Sequence, residues 1–405
     1  MVTVVQSGSM SHGTLGALSE ASSSSSTSLD SLSPTPGCNY YRIEDIQQSE
    51  CALVLFTQHA LTSECLVMKV LREYKDTRYS LETMGKRQQC QLEALRQNRV
   101  FTPEVYNGLA RIDALDLDQK SICIDKIIKN PTQEMLDPGA EYALIMQQLP
   151  EDRRLDYLLK EKEDAILRSH VLLLAAYAAY MHKHLVVSVP SEDGVQCGSY
   201  KQLQKKLLHN FGLLDLVLTM SINDHGDTYN QLEDRLSRLK KTLYQIFTQS
   251  YYKHYFEQRV AESRIKHCHG DLKAPNIWIA SQDHWYGQEV WKKVSILDAV
   301  DFNQSYMNID VLSDLALLVV DIQTRTQSSL LADLLAENYL KYTDQQDEAS
   351  RAVLAYYLVE KAIVGAAISI VYDNLPDLGW AFLETAEMRL KCLENMEPRS
   401  LLLSV

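Results

Sequence analysis

The chain has 405 residues, 46% of them apolar and 23% charged, the balance of an ordinary folded protein long enough for two lobes or two domains. A net charge of −13 repels polyanions at long range, which argues against a general nucleic-acid binder and against binding to anionic membranes. The same charge suits a cationic substrate, unless it is spread over solvated helix faces.

Residues 1–37 are rich in Ser, Thr and Gly and contain the run SSSSSTS. They hold too little apolar surface to offset the entropy of ordering, so a disordered tail is expected there. No Lys or Arg precedes Arg42, so the basic start of a secretory signal is missing. The eight cysteines are scattered, with no close pair of the kind that holds zinc. Reduced thiols and a cytoplasmic location are the expectation.

From Tyr40 to residue 150 the pattern is that of a small, mainly antiparallel sheet with one helix. Strand-like runs occupy 52–57 (ALVLFT), 65–71 (CLVMKVL), 108–112, 121–127 and 142–146. A helical stretch over 81–99 ends at the break Thr102-Pro103. Asn130-Pro131 and Asp137-Pro138-Gly139 mark turns.

Beyond residue 150 the periodicity is helical over 155–184, 200–220, 228–262, 309–323, 330–342 and 348–394. One hairpin interrupts it, at 277–280 and 294–297. The longest apolar run, 171–181, is too short to span a bilayer and reads as a buried helix. A β-rich part of 38–150 followed by a helical part of 151–405 is an α+β plan. The helically spaced aromatics Tyr251, Tyr252, Tyr255 and Phe256 read as packing, and His182 and His184, two apart, do not share a helix face.

The stretch that carries chemistry is HGDLKAPN at 269–276, followed by the hairpin and by ILDAVDF at 296–302. Phosphoryl transfer needs a carboxylate near the acceptor hydroxyl and oxygen ligands for magnesium under the phosphates. An Asp and an Asn five residues apart on one irregular loop supply the first and one ligand. An Asp at the end of a strand returning beside that loop supplies another.

HGDLKAPN resembles the catalytic loop H-G-D-x-x-x-x-N of the aminoglycoside phosphotransferase and choline kinase superfamily. The runs LDAVDFNQSYMNIDVLSDLALLVVDI, NRVFTPEVYNGLARI and YALIMQQLPEDRRLDYLL extend the likeness over most of residues 64–325, to a branch often joined to a P-loop ATPase domain. No P-loop motif occurs in this chain. The resemblance implies a two-lobed protein-kinase-like fold, with a small β-rich N-lobe and a larger helical C-lobe. It also implies an enzyme that uses ATP and Mg2+ to phosphorylate a hydroxyl of a small molecule.

By the same resemblance Asp271 positions the acceptor, Asn276 and Asp298 bind the metal, and His269 orients the loop. Lys273 either neutralises charge on the transferred group or is an exposed loop lysine. In the N-lobe Lys69 takes the place of the lysine that contacts the nucleotide phosphates, and Glu93, with Glu82 as runner-up, that of its ion-pair partner. Met146 to Pro150 would by the same resemblance be the hinge that holds adenine, and the sequence there reads equally as a strand end followed by a turn. Asp310 and Asp314 brace the loop, and Asp301 joins the metal group or supports it.

One departure stands out. No glycine lies between Gly37 and Gly85, so the glycine-rich phosphate loop is missing, and residues 57–63 (TQHALTS) stand in its place. That departure keeps a second class open, a pseudokinase-like module that binds nucleotide and regulates a partner. A protein acceptor or nucleotidyl transfer is a third.

Overall fold

The computed structural model describes residues 39–75, 80–160, 163–188, 196–220, 227–281, 289–301 and 303–396. The expected tail at 1–37 lies outside them. The described residues divide into two compact units, one comprising those from Leu149 onward together with Val100–Thr102, the other those from 39 to Arg99 together with Pro103–Gln148.

The N-terminal unit is a closed antiparallel barrel. Its strands are β1 (Asn39–Gln48), β2 (Ala52–His59), β3 (Cys65–Leu71), β4 (Tyr106–Asp116), β5 (Ser121–Ile124) and β6 (Tyr142–Gln147), in the order β1-β2-β3-β6-β4-β5, with β5 returning to β1. Helix α1 (Met84–Phe101) is inserted after β3. The interior is filled by Tyr41, Ile43, Leu53, Leu55, Leu66, Met68, Val70, Ile122, Ile124 and Ile145. Because side chains alternate along a strand, Leu66, Met68 and Val70 face inward and Val67, Lys69 and Leu71 outward.

Strand β1 was not expected as a strand. Only Tyr41 and Ile43 are buried in its first half, between the exposed Arg42 and Glu44, and a register shift between Ile43 and Asp45 breaks the alternation. This strand turns the expected sheet into a barrel. It also makes residues 57–63 the second hairpin, with Ser49-Glu50-Cys51 as the first.

The C-terminal unit begins with α2 (Leu155–Leu158) and α3 (Asp164–His184), then α4 (Tyr200–Met220), α5 (Asp227–Phe247) and α6 (Ser250–Ala261). Short strands β7 (Ile265–His267), β8 (Ile277–Ile279) and β9 (Val294–Ile296) follow. Next come α7 (Gln304–Met307), β10 (Asn308–Asp310), α8 (Val311–Thr326), α9 (Ser329–Tyr342), α10 (Glu348–Val371) and α11 (Pro376–Glu394). Strands β8 and β9 form the expected hairpin, and β7 pairs with β10 in a second two-stranded ribbon.

Two expected helices are broken for local reasons that can be named, and a third begins later than expected. The run 228–262 ends α5 at Phe247, where the Thr248 hydroxyl donates to the carbonyls of Tyr244 and Gln245 and Gln249 turns extended. The run 348–394 breaks at Asn374, which is left-handed, ahead of Pro376 at the start of α11. At 308–310 the chain is a strand, and the Asp310 carboxylate then caps α8 by accepting from Leu312 N at 2.9 Å.

Helix α8 is buried from Val311 to Thr324 and forms the axis of the unit, with α9, α10 and α11 packed against it. The aromatic run of α6 is core: Phe256 meets Tyr356 at 5.2 Å between ring centroids, and Tyr252 and Phe247 complete the cluster. Helix α10 is long and apolar enough to cross a membrane, yet 72% of its apolar window is buried inside the unit, so its apolar surface serves the core. Among the described cysteines, Cys51, Cys65, Cys90, Cys197, Cys268 and Cys392 stand outside disulfides, but Cys123 is disulfide-bonded. The expectation of uniformly reduced thiols fails at that residue.

Candidate active site

The loop 268–276 joins β7 to β8 and is held by carboxylates of α8. Asp314 accepts from Gly270 N at 2.9 Å and from His269 N at 3.3 Å. Asp321 accepts from Ala274 N at 2.7 Å and is itself held by Arg325 at 2.8 Å. The two acids are seven residues apart, two turns of α8, so both lie on one face of the helix and grip the loop near its two ends. Gly270 has φ +80°, and a Cβ there would stand 2.6 Å from the Tyr306 carbonyl oxygen, so only glycine fits. Asp310, the other acid expected to brace the loop, instead forms a buried two-pronged pair with Arg259, at 2.6 and 2.8 Å.

Asp271 and its neighbours form a closed set. Its Oδ2 receives the Lys273 ammonium at 3.2 Å and the Asn276 amide at 3.1 Å, and Asn276 Nδ2 also reaches the Asp271 carbonyl at 3.0 Å. Oδ1, by contrast, is buried and has no hydrogen-bond partner among the described residues. A buried carboxylate oxygen without a donor costs free energy, so this atom is a place for a donor brought by a ligand. Burial alone would raise the Asp271 pKa, but the charge and hydrogen bond of Lys273, together with the other charges around it, outweigh burial and hold the carboxyl below its ordinary value. For Lys273 burial pulls the pKa down, and the charge and hydrogen bond of Asp271, together with the charges of Asp373 and Asp321, outweigh burial and hold the ammonium above its ordinary value. The Lys273 side chain is 12% exposed, which removes the alternative of an exposed loop lysine.

His269 is fully buried and edge-on to Phe101 at 5.0 Å. Its Nε2 lies 3.1 Å from the Leu297 carbonyl and its Nδ1 accepts from Asp271 N at 3.3 Å. Those partners assign the neutral ring with the proton on Nε2. Burial depresses its pKa against the pull of Asp314 and Asp271.

Asp298 is carried to the loop by the β8–β9 hairpin. Leu297 N donates to the Asn276 carbonyl at 2.9 Å and Val300 N to the His269 carbonyl at 3.0 Å, so the residues flanking Asp298 are tied to the loop on both sides. Thr102 locks the strand before it, accepting from Ile296 N and donating to Ile296 O, both at 2.8 Å. Between these ties Asp298 takes φ +62°, a left-handed conformation that is sparsely used outside glycine and that Asp tolerates better than most. The Asn276 amide nitrogen is spent on Asp271, which leaves its oxygen directed elsewhere. That oxygen and the Asp298 carboxylate are hard donors of the kind that magnesium takes, so the residues present fit such an ion.

In the N-terminal unit Lys69 is buried on the outward face of β3. Its carbonyl accepts from Gln91 Nε2 of α1 at 2.8 Å, and Leu71 on the same face packs in a cluster that includes Cys90. Glu93 of α1 binds Arg96 at 2.6 and 3.0 Å and also accepts from Gln97. Glu82 is engaged by Ser80 at 2.6 Å and Lys75 at 3.0 Å, and those donors, Ser80 first, pull its pKa down to about 2. Met146 is buried in β6 opposite Val67 and Tyr106.

His182 Nε2 lies 3.1 Å from Asp314 Oδ2 and its Nδ1 2.7 Å from the Tyr339 hydroxyl. Among the residues that hold these positions, Gln91, Asp321 and Tyr339 were not singled out from the sequence, and His182 was named only as not sharing a helix face with His184. Asp321 had a signal, its seven-residue spacing from Asp314 on one expected helix. The other three act through contacts between elements distant in the chain.

No protein-family model matches this chain, and no curated protein matches it. Among solved structures it is similar to a choline kinase from Cryptosporidium parvum Iowa II, at 10% identity over 87% of this chain and 88% of that one, with a TM-score of 0.48. A Plasmodium vivax ethanolamine kinase is similar at 11% identity over 86% and 82%, with a TM-score of 0.42. The GDP complex of an aminoglycoside 2'-phosphotransferase of type IIIa is similar at 10% identity over 89% and 94%, with a TM-score of 0.44. Likeness of this degree says nothing of activity, and the chemistry rests on the loop itself.

Proposed function

We propose that this chain is a phosphotransferase that moves the γ-phosphoryl group of ATP to a hydroxyl of a small molecule. The observation that carries the reading is the unpartnered Oδ1 of Asp271 beside a fully engaged Oδ2. A carboxylate ionised by its neighbours, with one oxygen fixed and the other lacking a donor, is arranged to receive an acceptor O–H.

In this reading the acceptor hydroxyl donates to Asp271 Oδ1, which orients its lone pair and takes the proton. The acceptor oxygen forms the new bond to the γ-phosphorus, the bond from phosphorus to the β,γ-bridging oxygen breaks, and ADP leaves with that electron pair. Lys273 keeps Asp271 ionised and lends positive charge near the transferred group. Asn276 and Asp298 are the residues to hold a magnesium ion, which when bound neutralises phosphate charge. Lys69 would hold the α- and β-phosphates with Glu93 aiming it, and the chain from Met146 onward would receive adenine. The small-molecule acceptor follows the resemblance of the loop.

One observation favours a second reading, nucleotide binding without transfer: neither the turn at 49–51 nor that at 57–63 contains a glycine. Incubation with ATP, Mg2+ and a panel of hydroxyl-bearing small molecules, followed by mass spectrometry, separates the possibilities. A phosphate-sized adduct on a panel member, lost in Asp271→Asn, supports the proposal. An adduct on a protein, an AMP-sized adduct, or tight nucleotide binding without any product contradicts it.

A further inference from the structure

Between α4, α10 and the start of α8 lies a small cavity that the reaction described above does not use. It holds about 10 Å³, close to the least that admits a water-sized group, and Lys206, Ser313, Tyr356, Tyr357 and Glu360 are among the residues that line it.

Two of these groups lack the partner that their charge calls for. Glu360 is buried, and its Oε1 accepts from Asn210 Nδ2 at 2.6 Å. Its buried Oε2 accepts no hydrogen bond among the described residues, although the Lys361 ammonium stands 3.3 Å away. Lys206 is half-buried along its side chain and its ammonium is enclosed. That ammonium lies over the Tyr306 ring at 5.1 Å and forms neither an ion pair nor a hydrogen bond among the described residues.

The groups facing Lys206 come from each element around it. Lys361 and Glu360 approach from α10 and Cys197 from the chain before α4. Asp310 lines the cavity too, with its charge spent on Arg259. Burial keeps the hydroxyls of Tyr356 and Tyr357 protonated. Burial and the Lys361 charge push the Lys206 pKa down to about 8, against the pull of Glu360 and Cys197. About a tenth of such an amine is uncharged at pH 7, against roughly three in ten thousand for an ordinary lysine.

A lysine that is enclosed, beside a second cation and free of a carboxylate is a nucleophile. The cavity sets the size of what it attacks. Carbon dioxide is short and uncharged, and it accepts an amine lone pair without a leaving group that would need room.

We propose that Lys206 is a carbon dioxide site, where the amine becomes a carbamate. The Nζ lone pair forms the N–C bond, one C–O π pair moves onto oxygen, and the Nζ proton passes across the cavity to Glu360 Oε2. Beforehand Lys206 is neutral, Lys361 positive and Glu360 negative; afterwards the carbamate is negative, Lys361 positive and Glu360 neutral. The enclosed site therefore gains no net charge, which avoids the cost of burying one. Lys361 serves as counter-ion to the carbamate, and the Tyr356 and Tyr357 hydroxyls are donors in the same cavity. None of this depends on the phosphotransfer reading.

The test equilibrates the full chain with isotope-labelled bicarbonate at fixed dissolved carbon dioxide, traps carbamates by ethylation with triethyloxonium, and maps them by mass spectrometry. Lys201 and Lys205, exposed on the same helix, are internal controls. At about pH 7.5 label on Lys206 should exceed that on either control by about tenfold or more, and it should fall by about tenfold between about pH 8 and 6.5. Lys361→Met, which removes the counter-ion, should lower the occupancy by about tenfold or more. Should that variant fail to fold, the wild-type map decides. No label on Lys206, label equal to that on Lys201 and Lys205, or full occupancy in a folded Lys361→Met overturns the proposal.

Discussion

Two irregular loops of this protein are of similar length and are built on opposite principles. In the turn at 57–63 the His59 Nδ1 accepts from the amides of Leu61 and Thr62, and the tip Leu61 is 90% exposed. The loop at 268–276 has the amides of His269, Gly270 and Ala274 taken by Asp314 and Asp321, and the carbonyls of His269 and Asn276 by the amides of Val300 and Leu297 on either side of Asp298. Fixed geometry is placed where it is needed: a side chain that must keep one oxygen without a partner in a buried setting requires a backbone that cannot relax to supply one. An exposed turn is solvated by water and carries no such demand.

The contrast between the two loops is challenged most severely at Asp271. Asp271→Asn, which leaves the backbone ties in place, should lower turnover by about 10²–10⁴-fold, the range for removing a positioned acid or base, in a protein that still folds but melts lower because buried Lys273 loses its charge partner. Next in size are the struts. Asp314→Ala strips the partners from two loop amides and from His182 in a dry interior, and should destabilise the C-terminal unit by about 3–5 kcal/mol in denaturant titration. Arg259→Ala, which strands the buried Asp310, should cost a similar ~3–5 kcal/mol and report on stability without reference to the loop.

Acid provides a milder probe. His170 is buried and its pKa is depressed by burial, with Arg153 adding to it, to about 4. His269 is depressed in the same direction. A group whose folded pKa lies below its unfolded value contributes stability that is full above the unfolded pKa, near 6.5 for His, and is lost as pH falls toward and through the folded one. Melting temperature should therefore drop between about pH 6.5 and 4. A second drop should follow below the ordinary carboxylate range, as Asp271 and Asp314, also depressed, are forced to protonate. His170→Leu should flatten the first step alone. At the small end, Leu61→Ser and Thr62→Ala in the exposed turn should change stability by no more than about 0.5 kcal/mol.

Much of this organisation could be read from the chain because the informative residues are contiguous. Strand 65–71 stands where CLVMKVL places it, and the loop, the hairpin after it and Asp298 follow within 30 residues of one another. Strand β1 was illegible because YYRIEDIQQ is mostly polar and its register shifts at Ile43, so the barrel that it closes was illegible too. The helix breaks at Thr248 and Asn374 depend on back-bonding and on one left-handed residue rather than on hydrophobic period. The sequence left Lys273 between two roles, and its 3.2 Å approach to Asp271 with a largely buried side chain removes that of an exposed loop lysine. The supports of the loop were hidden most deeply, since Tyr339 and His182 are 157 residues apart and Asp314 and His182 132 apart.

Whether Asp271 Oδ1 receives the acceptor hydroxyl is decided by phosphorus NMR of the protein with ATP, Mg2+ and an accepted hydroxyl compound. A new phosphate-ester resonance is expected with the wild type, and in Asp271→Asn none on the same timescale although the protein remains folded. An equal rate of ester formation in Asp271→Asn would contradict the assignment.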